Sequence, residues 1–316
     1  MYIEQGYRGD PGLWKFWVLP LGFIAFMVFN YISMLYAPVS VDVMMADLIE
    51  KLGSNVVLIL LLAPLAAGLF VVWGWVRFVH PQSIRSLTTS RKKVDWKRIL
   101  FAFGLWGGIT ILLTGIDIVL SPEDYAFNFQ ALPFIKLFLI GLLLIPLQTS
   151  FEEYLFRAHM MQGLGIMAGN RWLPLLITSL LFGLMHLGNP EVEKLGTGIL
   201  VFYIGTGLFL GIITLMDEGL ELALGFHAAN NLVTALLVTS DWTAFQTNSI
   251  FRDISEPVLG WDVFIPVFVI YPALLYIFYK KYNWKDWKSR LAGKVDSRER
   301  FLELTNGKQD TPKIST

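Results

Sequence analysis

F-I-K-L-F-L-I-G-L-L-L-I-P-L-Q-T-S-F-E-E-Y-L-F-R, Phe134 to Arg157, is the stretch on which the reading of this chain turns. As far as Gln148 it holds one charge, Lys136, and then Glu152, Glu153 and Arg157 follow without a polar run to prepare them. An apolar segment of this length crosses hydrocarbon as a helix, so these groups fall at or just beyond membrane depth. Charge there is costly and marks function by default. In a helix, Glu153 and Arg157 stand four residues apart on one face and can pair. Glu152 is turned about 100° away and lacks that partner. One carboxylate is committed to structure, and the other is free for proton chemistry. The competing reading, a charged helix end snorkelling to the headgroups, is weighed against the remaining polar residues.

Composition sets the class. Of 316 residues, 55% are hydrophobic and 16% charged, and mean hydropathy is +0.56. Soluble domains have an apolar share of about 45–50%, so the chain reads as an integral membrane protein. Zero net charge argues against a nucleic-acid partner. With no cysteine, the chain has no disulfide, thiol nucleophile, iron–sulfur cluster or palmitoylation site, and it cannot itself be prenylated.

Hydropathy predicts an all-α, polytopic helix bundle of about eight spans. They run Trp14–Leu35, Asn55–Val79, Ile99–Val119, Phe134 to about Gln162 with a kink near Pro146, Trp172–Leu187, Gly196–Met216, Leu222–Val238 and Val263–Tyr279. Met1–Gly12 lacks a basic start, and no small-residue cleavage site follows, so no cleaved signal peptide is read. Between Arg77 and Arg98 lie Arg77, Arg85, Arg91, Lys92, Lys93, Lys97 and Arg98 against Asp95 alone, which predicts a cytoplasmic loop. Glu123 and Asp124 then belong outside. An even number of spans puts both termini in the cytoplasm. The organisation expected is an N-terminal cytoplasmic segment 1–13, a membrane-embedded region 14–288 with a motif core at 151–231, and a polar tail 289–316 that holds at most one short helix. Gly205, Gly207 and Gly211 predict close helix contact.

Two of the four histidines lie within apolar spans, and each alone reads equally well as a packing residue. His186 follows Phe182 by four residues, and His227 precedes Asn231 by four. His159 and His80 lie near a helix end and in the basic loop and read as structural. A diacidic helix, a helix with one histidine, and a helix with histidine and asparagine together supply a base, electrophilic groups and an oxyanion donor.

With E-E-x-x-x-R at Glu152, Glu153 and Arg157, F-x-x-x-H at Phe182 and His186, and H-x-x-x-N at His227 and Asn231, the chain resembles the CPBP intramembrane proteases. That family includes the prenyl-protein (CAAX) endopeptidases and many bacterial members linked to bacteriocin self-immunity. The match covers Phe151 to Asn231. Ala158 departs from the glycine that many members carry after the arginine, and leaves the polar set intact.

The resemblance implies an endopeptidase of a membrane-associated or lipidated protein, with membrane lipid and a peptide as partners, in a bacterial inner (plasma) membrane. It makes Glu152 the general base, His186 the group that orients water, and His227 and Asn231 the oxyanion donors. Glu153 and Arg157 serve as structural support. A metalloprotease with zinc on Glu152, His186 and His227 stays open, because two histidines and a glutamate suffice for such a site although H-E-x-x-H is absent. So does a different class: a non-catalytic binding, immunity or proton-coupled transport protein that uses the same buried polar cluster. A bis-histidine haem on His186 and His227 leaves the acidic pair without a purpose.

Overall fold

Backbone in hydrocarbon must satisfy its own polar groups, and the apolar segments do so as helices. The computed structural model describes residues 1–10 and 12–306. Two 3-10 turns, Ile3–Arg8 and Leu13–Phe16, lead into α1 (Val18–Leu35), followed by α2 (Val41–Leu52), α3 (Ser54–Phe78), the short α4 (Ile84–Thr88) and α5 (Trp96–Leu120). α6 (Ala131–Glu153) continues through a π-helical segment, Tyr154–Met160, into α7 (Met161–Ala168). Then come α8 (Trp172–Leu184), α9 (Pro190–Leu195), α10 (Leu200–Asp217) and α11 (Glu221–Leu237). α12 (Trp261–Ile265) and α13 (Tyr271–Tyr282) are joined by a second π segment, and α14 (Trp287–Ala292) and α15 (Arg298–Asn306) follow.

The bundle is all-α in class, but two of the eight expected spans are short for a full crossing. Among the described residues, six helical stretches are long and apolar enough to cross a membrane: Leu13–Leu35, Ser54–Phe78, Trp96–Leu120, Ala131–Ala168, Thr197–Asp217 and Trp261–Tyr282. α8 has 13 residues and α11 has 17. At about 1.5 Å per residue both fall short of a hydrocarbon core roughly 30 Å thick. α8 ends at Leu184 because the chain turns there ahead of Asn189–Pro190, and Pro190 opens α9. The fourth span is also longer than expected. It runs to Ala168, where Gly169 caps it at φ +65°, and it departs from α geometry at Tyr154–Met160, past Pro146.

Glycines decide which helices touch. A side chain at Gly225 would meet the backbone oxygen of Ile99 at 2.1 Å, so α11 lies backbone-close on α5. A side chain at Gly183 would meet backbone atoms of Ile204, and one at Gly207 the backbone oxygen of Ser179, so α8 lies against α10. α6 packs between α3, where Gly68 faces Phe151, and α11, where Gly141 faces Leu232.

The two ends of the bundle are built differently. At one end Tyr2 Oη donates to Leu87 O (2.8 Å), Ser90 N to Glu218 O (3.0 Å), and Arg91 pairs with both Asp217 (2.9 Å) and Glu221 (3.1 Å). Asn170 bridges to Lys294 there, so the N-terminal turn, the basic loop, the α10–α11 turn and the C-terminal helices are interlocked. Ile3 and Glu4 are buried in this knot, with Glu4 paired to Arg171. At the other end β1 (Tyr125–Phe127), β2 (Val238–Thr239) and β3 (Phe251–Asp253) form a small sheet, ordered β1-β3-β2. β1 and β3 are antiparallel, with Ala126 opposite Arg252, and β2 and β3 are parallel. The expectation for the tail reaches past Asn306, outside the described residues. Within them the tail holds two short helices, Trp287–Ala292 and Arg298–Asn306, the first of them starting just ahead of residue 289.

Because the chain has no native cysteine, single cysteines at exposed Lys92 and exposed Glu123 report on the two ends separately. A membrane-impermeant maleimide added to intact cells is expected to label Glu123→Cys and to reach Lys92→Cys only after the membrane is opened. The opposite pattern would invert the orientation, and labelling of both from one side would break the two-ended layout.

Candidate active site

Glu153 is the last residue of α6, and the π segment begins at the next one. Such segments recur at functional sites because they alter which side chains face inward. Here all seven residues from Tyr154 to Met160 are buried. Arg157 Nη1 donates to Glu153 Oε1 at 3.0 Å, with both side chains 0% exposed, so the pair read from the four-residue spacing is present. Arg157 Nη2 reaches the carbonyl of Gly207 (3.3 Å), and the guanidinium lies 4.0 Å over the Phe182 ring. A buried cation needs partners of this kind, although Nε of Arg157 has no hydrogen bond among the described residues.

Glu153 has a second partner that spacing along one helix does not show. His227 Nδ1 lies 2.8 Å from the same Oε1, carried there by α11. A carboxylate oxygen accepts, so Nδ1 carries the proton and Nε2 points the other way. It faces Glu152, whose Oε2 is 3.6 Å from it. Glu152 is 15% exposed, and its other oxygen, Oε1, accepts from Gln148 Nε2 at 2.6 Å. Gln148 Oε1 in turn accepts from Asn231 Nδ2 at 3.3 Å. Glu152, His227 and Asn231 therefore gather on one polar patch between α6 and α11.

His186 stands to one side of it. It lies in the turn just after α8, not on a helix within a span as expected, because α8 ends two residues earlier. Its Nδ1 is 2.8 Å from the carbonyl of Phe182, and its ring stacks on Tyr203 with centroids 4.2 Å apart. Phe182 joins the two histidines: its ring centroid is 5.0 Å from that of His186 and 5.8 Å from that of His227. Among the described residues, no hydrogen bond links His186 to Glu152, His227 or Asn231. Gly183 seats α8 on α10 and Gly225 seats α11 on α5, which fixes the site from behind.

Sequence reading missed Gln148 and Tyr203. Gln148 was legible in principle, four residues before Glu152 on the same face. Tyr203 carried no local signal. His80 and His159, read as structural, pack around Phe16 with ring centroids at 4.4 Å and 5.2 Å.

The zinc trio does not assemble. Zinc needs its ligand atoms about 2.0–2.2 Å from one point, and among the described residues no three His, Asp or Glu side chains converge in that way. Glu152 and His227 adjoin, but His186 is hydrogen-bonded to neither of them and stacks on Tyr203 instead. The residues as placed do not fit a three-ligand metal.

Three short motifs on separate segments, an acidic pair split between a buried ion pair and a partly exposed member, and a histidine–asparagine face opposite them make up the polar site. Residues 132–233 match the family model described as Type II CAAX prenyl endopeptidase Rce1-like, so this stretch is similar to that family. The chain is also similar to "Uncharacterized protein YyaK" of Bacillus subtilis (strain 168), 28% identical over 283 residues, which are 87% of this chain and 95% of that one. No solved structure matches.

If the Glu153–Arg157–His227 cluster holds the bundle, Arg157→Ala or Glu153→Gln strands a buried partner and is expected to cost about 3–5 kcal/mol. Thermal unfolding of the purified variants in detergent checks this. Melting temperatures equal to wild type would contradict the structural role.

Proposed function

We propose that the protein is an endopeptidase that cleaves a peptide bond of a membrane-associated or lipidated protein, using water activated by Glu152. The observation that carries this reading is the division of labour in the acidic pair. Glu153 is 0% exposed and held by Arg157 and His227, whereas Glu152 is 15% exposed and keeps Oε2 without a direct hydrogen bond, 3.6 Å from His227 Nε2. That gap exceeds a hydrogen bond. A water bonded to Oε2 can still reach Nε2.

In the proposed reaction, Glu152 takes a proton from water as the oxygen attacks the scissile carbonyl, and gives it to the amide nitrogen as the C–N bond breaks and the amine leaves. Asn231 spends one amide N–H on Gln148 and keeps a second for the oxyanion. His227, with Nδ1–H given to Glu153, presents Nε2 to the site, and Nε2 donates to the oxyanion only when it too carries a proton. His186, with Nδ1–H given to Phe182 O, offers Nε2 as an acceptor that orients water.

A cleft of about 350 Å³ supports a lipid-attached substrate. Val18, Gly22 and Phe26 of α1, Gly68 of α3, and Phe151 and Leu155 beside Glu152 line it. Among the residues of α1 only Pro20 is buried, so this wall is lightly held. The cluster of basic residues at one end of the bundle supports a reading in which both termini face the cytoplasm, in a bacterial inner membrane.

Glu152→Gln keeps the side chain's size but cannot accept the proton. Cleavage of a lipidated peptide by the purified variant is expected to fall about 10²–10⁴-fold, the usual contribution of a general base, with the melting temperature unchanged. Retained turnover would remove Glu152 from this role.

A further inference from the structure

α5 lies outside the segment matched by the family, yet it delivers one side chain to the polar patch. Trp106 Nε1 donates to Asn230 Oδ1 at 3.1 Å, and Asn230 Nδ2 donates to Asn231 Oδ1 at 3.1 Å. Asn231 Nδ2 then donates to Gln148 Oε1 at 3.3 Å, and Gln148 Nε2 to Glu152 Oε1 at 2.6 Å. These four hydrogen bonds run in one direction from α5 through α11 to α6. We propose that Trp106 is a positioning residue of this site: its indole N–H fixes the sense of the chain and so keeps amide N–H groups aimed at Glu152 and at the substrate carbonyl.

The argument rests on what each end can do. An indole N–H only donates, and a carboxylate only accepts, whereas each amide between them works equally well turned by half a rotation. Two fixed ends of opposite kind admit one sense for all three amides. During the reaction the Glu152 end changes character. Once it has taken the proton it can donate, and an unanchored chain is then free to reverse, with Gln148 offering its oxygen to Glu152 and Asn231 turning its N–H groups away from the oxyanion. Trp106 holds the chain when Glu152 cannot. Its own ring is held, 6% exposed, stacked on Phe226 at 4.6 Å and tilted against Tyr271 at 6.0 Å. Gly225 explains how α5 comes near enough, since its missing side chain lets α11 lie against Ile99 one face away.

The inference builds on the hydrolytic reading of Glu152 and is tested in two arms. In the kinetic arm, Trp106→Phe preserves the ring stack and removes the N–H, and Asn230→Leu breaks the next link. Each is expected to lower kcat roughly three- to tenfold, the rate equivalent of one hydrogen bond, with KM unchanged. The double variant should lose no more than either single one, because both cut the same chain. Additive losses, a raised KM with kcat kept, or a lowered melting temperature alone would overturn the proposal. In the second arm, NMR of protein with nitrogen-15 tryptophan follows the Trp106 indole N–H, identified by its absence in Trp106→Phe. Asn231→Leu, which makes no contact with the indole in the chain described, is expected to move that resonance, and an unmoved resonance would overturn the chain. A wild-type protein that cleaves no peptide while the resonance still responds would refute the hydrolytic reading and leave the chain standing.

Discussion

A carboxylate at hydrocarbon depth persists only when partners are brought to it, and Glu153 has two: Arg157 four residues further along the chain and His227 from α11. The arrangement contributes little net stability, since removing charges from water costs about what their attraction returns. Its consequence is orientation. Holding Nδ1 of His227 leaves Nε2 facing Glu152, and holding Arg157 inside lets its guanidinium clamp Phe182, the ring against which both site histidines rest. Everything polar at the site is placed relative to a group that takes no part in the proposed chemistry.

The rest of the bundle serves that placement. The π segment after Glu153 is buried on all sides, so the charges enter a region where no face of the helix meets lipid. α11 falls short of a full span and carries His227 and Asn231, and His186 follows the end of the short α8, while longer helices shield them. A short helix that stops within the bundle is tolerated because protein, not lipid, surrounds its end. The interlocked end, where Arg91 meets Asp217 and Glu221 and the first residues are buried, ties the basic loop to the turn from which α11 sets out.

What sequence alone could tell follows from the range of its rules. The Glu153–Arg157 pair was legible because helix geometry fixes neighbours four residues apart, and the separate character of Glu152 came from the same geometry. The motif residues His186, His227 and Asn231 were identified by resemblance, but their partners were not, because His227 and Glu153 are 74 residues apart and no local rule joins them. Gly205, Gly207 and Gly211 were legible as close contacts, yet a missing side chain does not say which helix fills the space. Hydropathy marked eight apolar segments, but could not say that a turn at Leu184 would leave His186 beyond its helix. The three-stranded sheet depends on pairings of two and three residues, below the length at which strand patterning is readable.

The claim that Glu152 activates water, while Glu153 stays committed to Arg157 and His227, separates from covalent attack by Glu152 itself in one measurement. A single turnover of a cleavable lipidated peptide is run in heavy-oxygen water with enzyme in excess, and the products and the Glu152 peptide are weighed by mass spectrometry. Direct attack by water puts one heavy oxygen on the new carboxyl terminus of the product and none on the enzyme. An unlabelled product, with heavy oxygen retained on Glu152, would contradict the account.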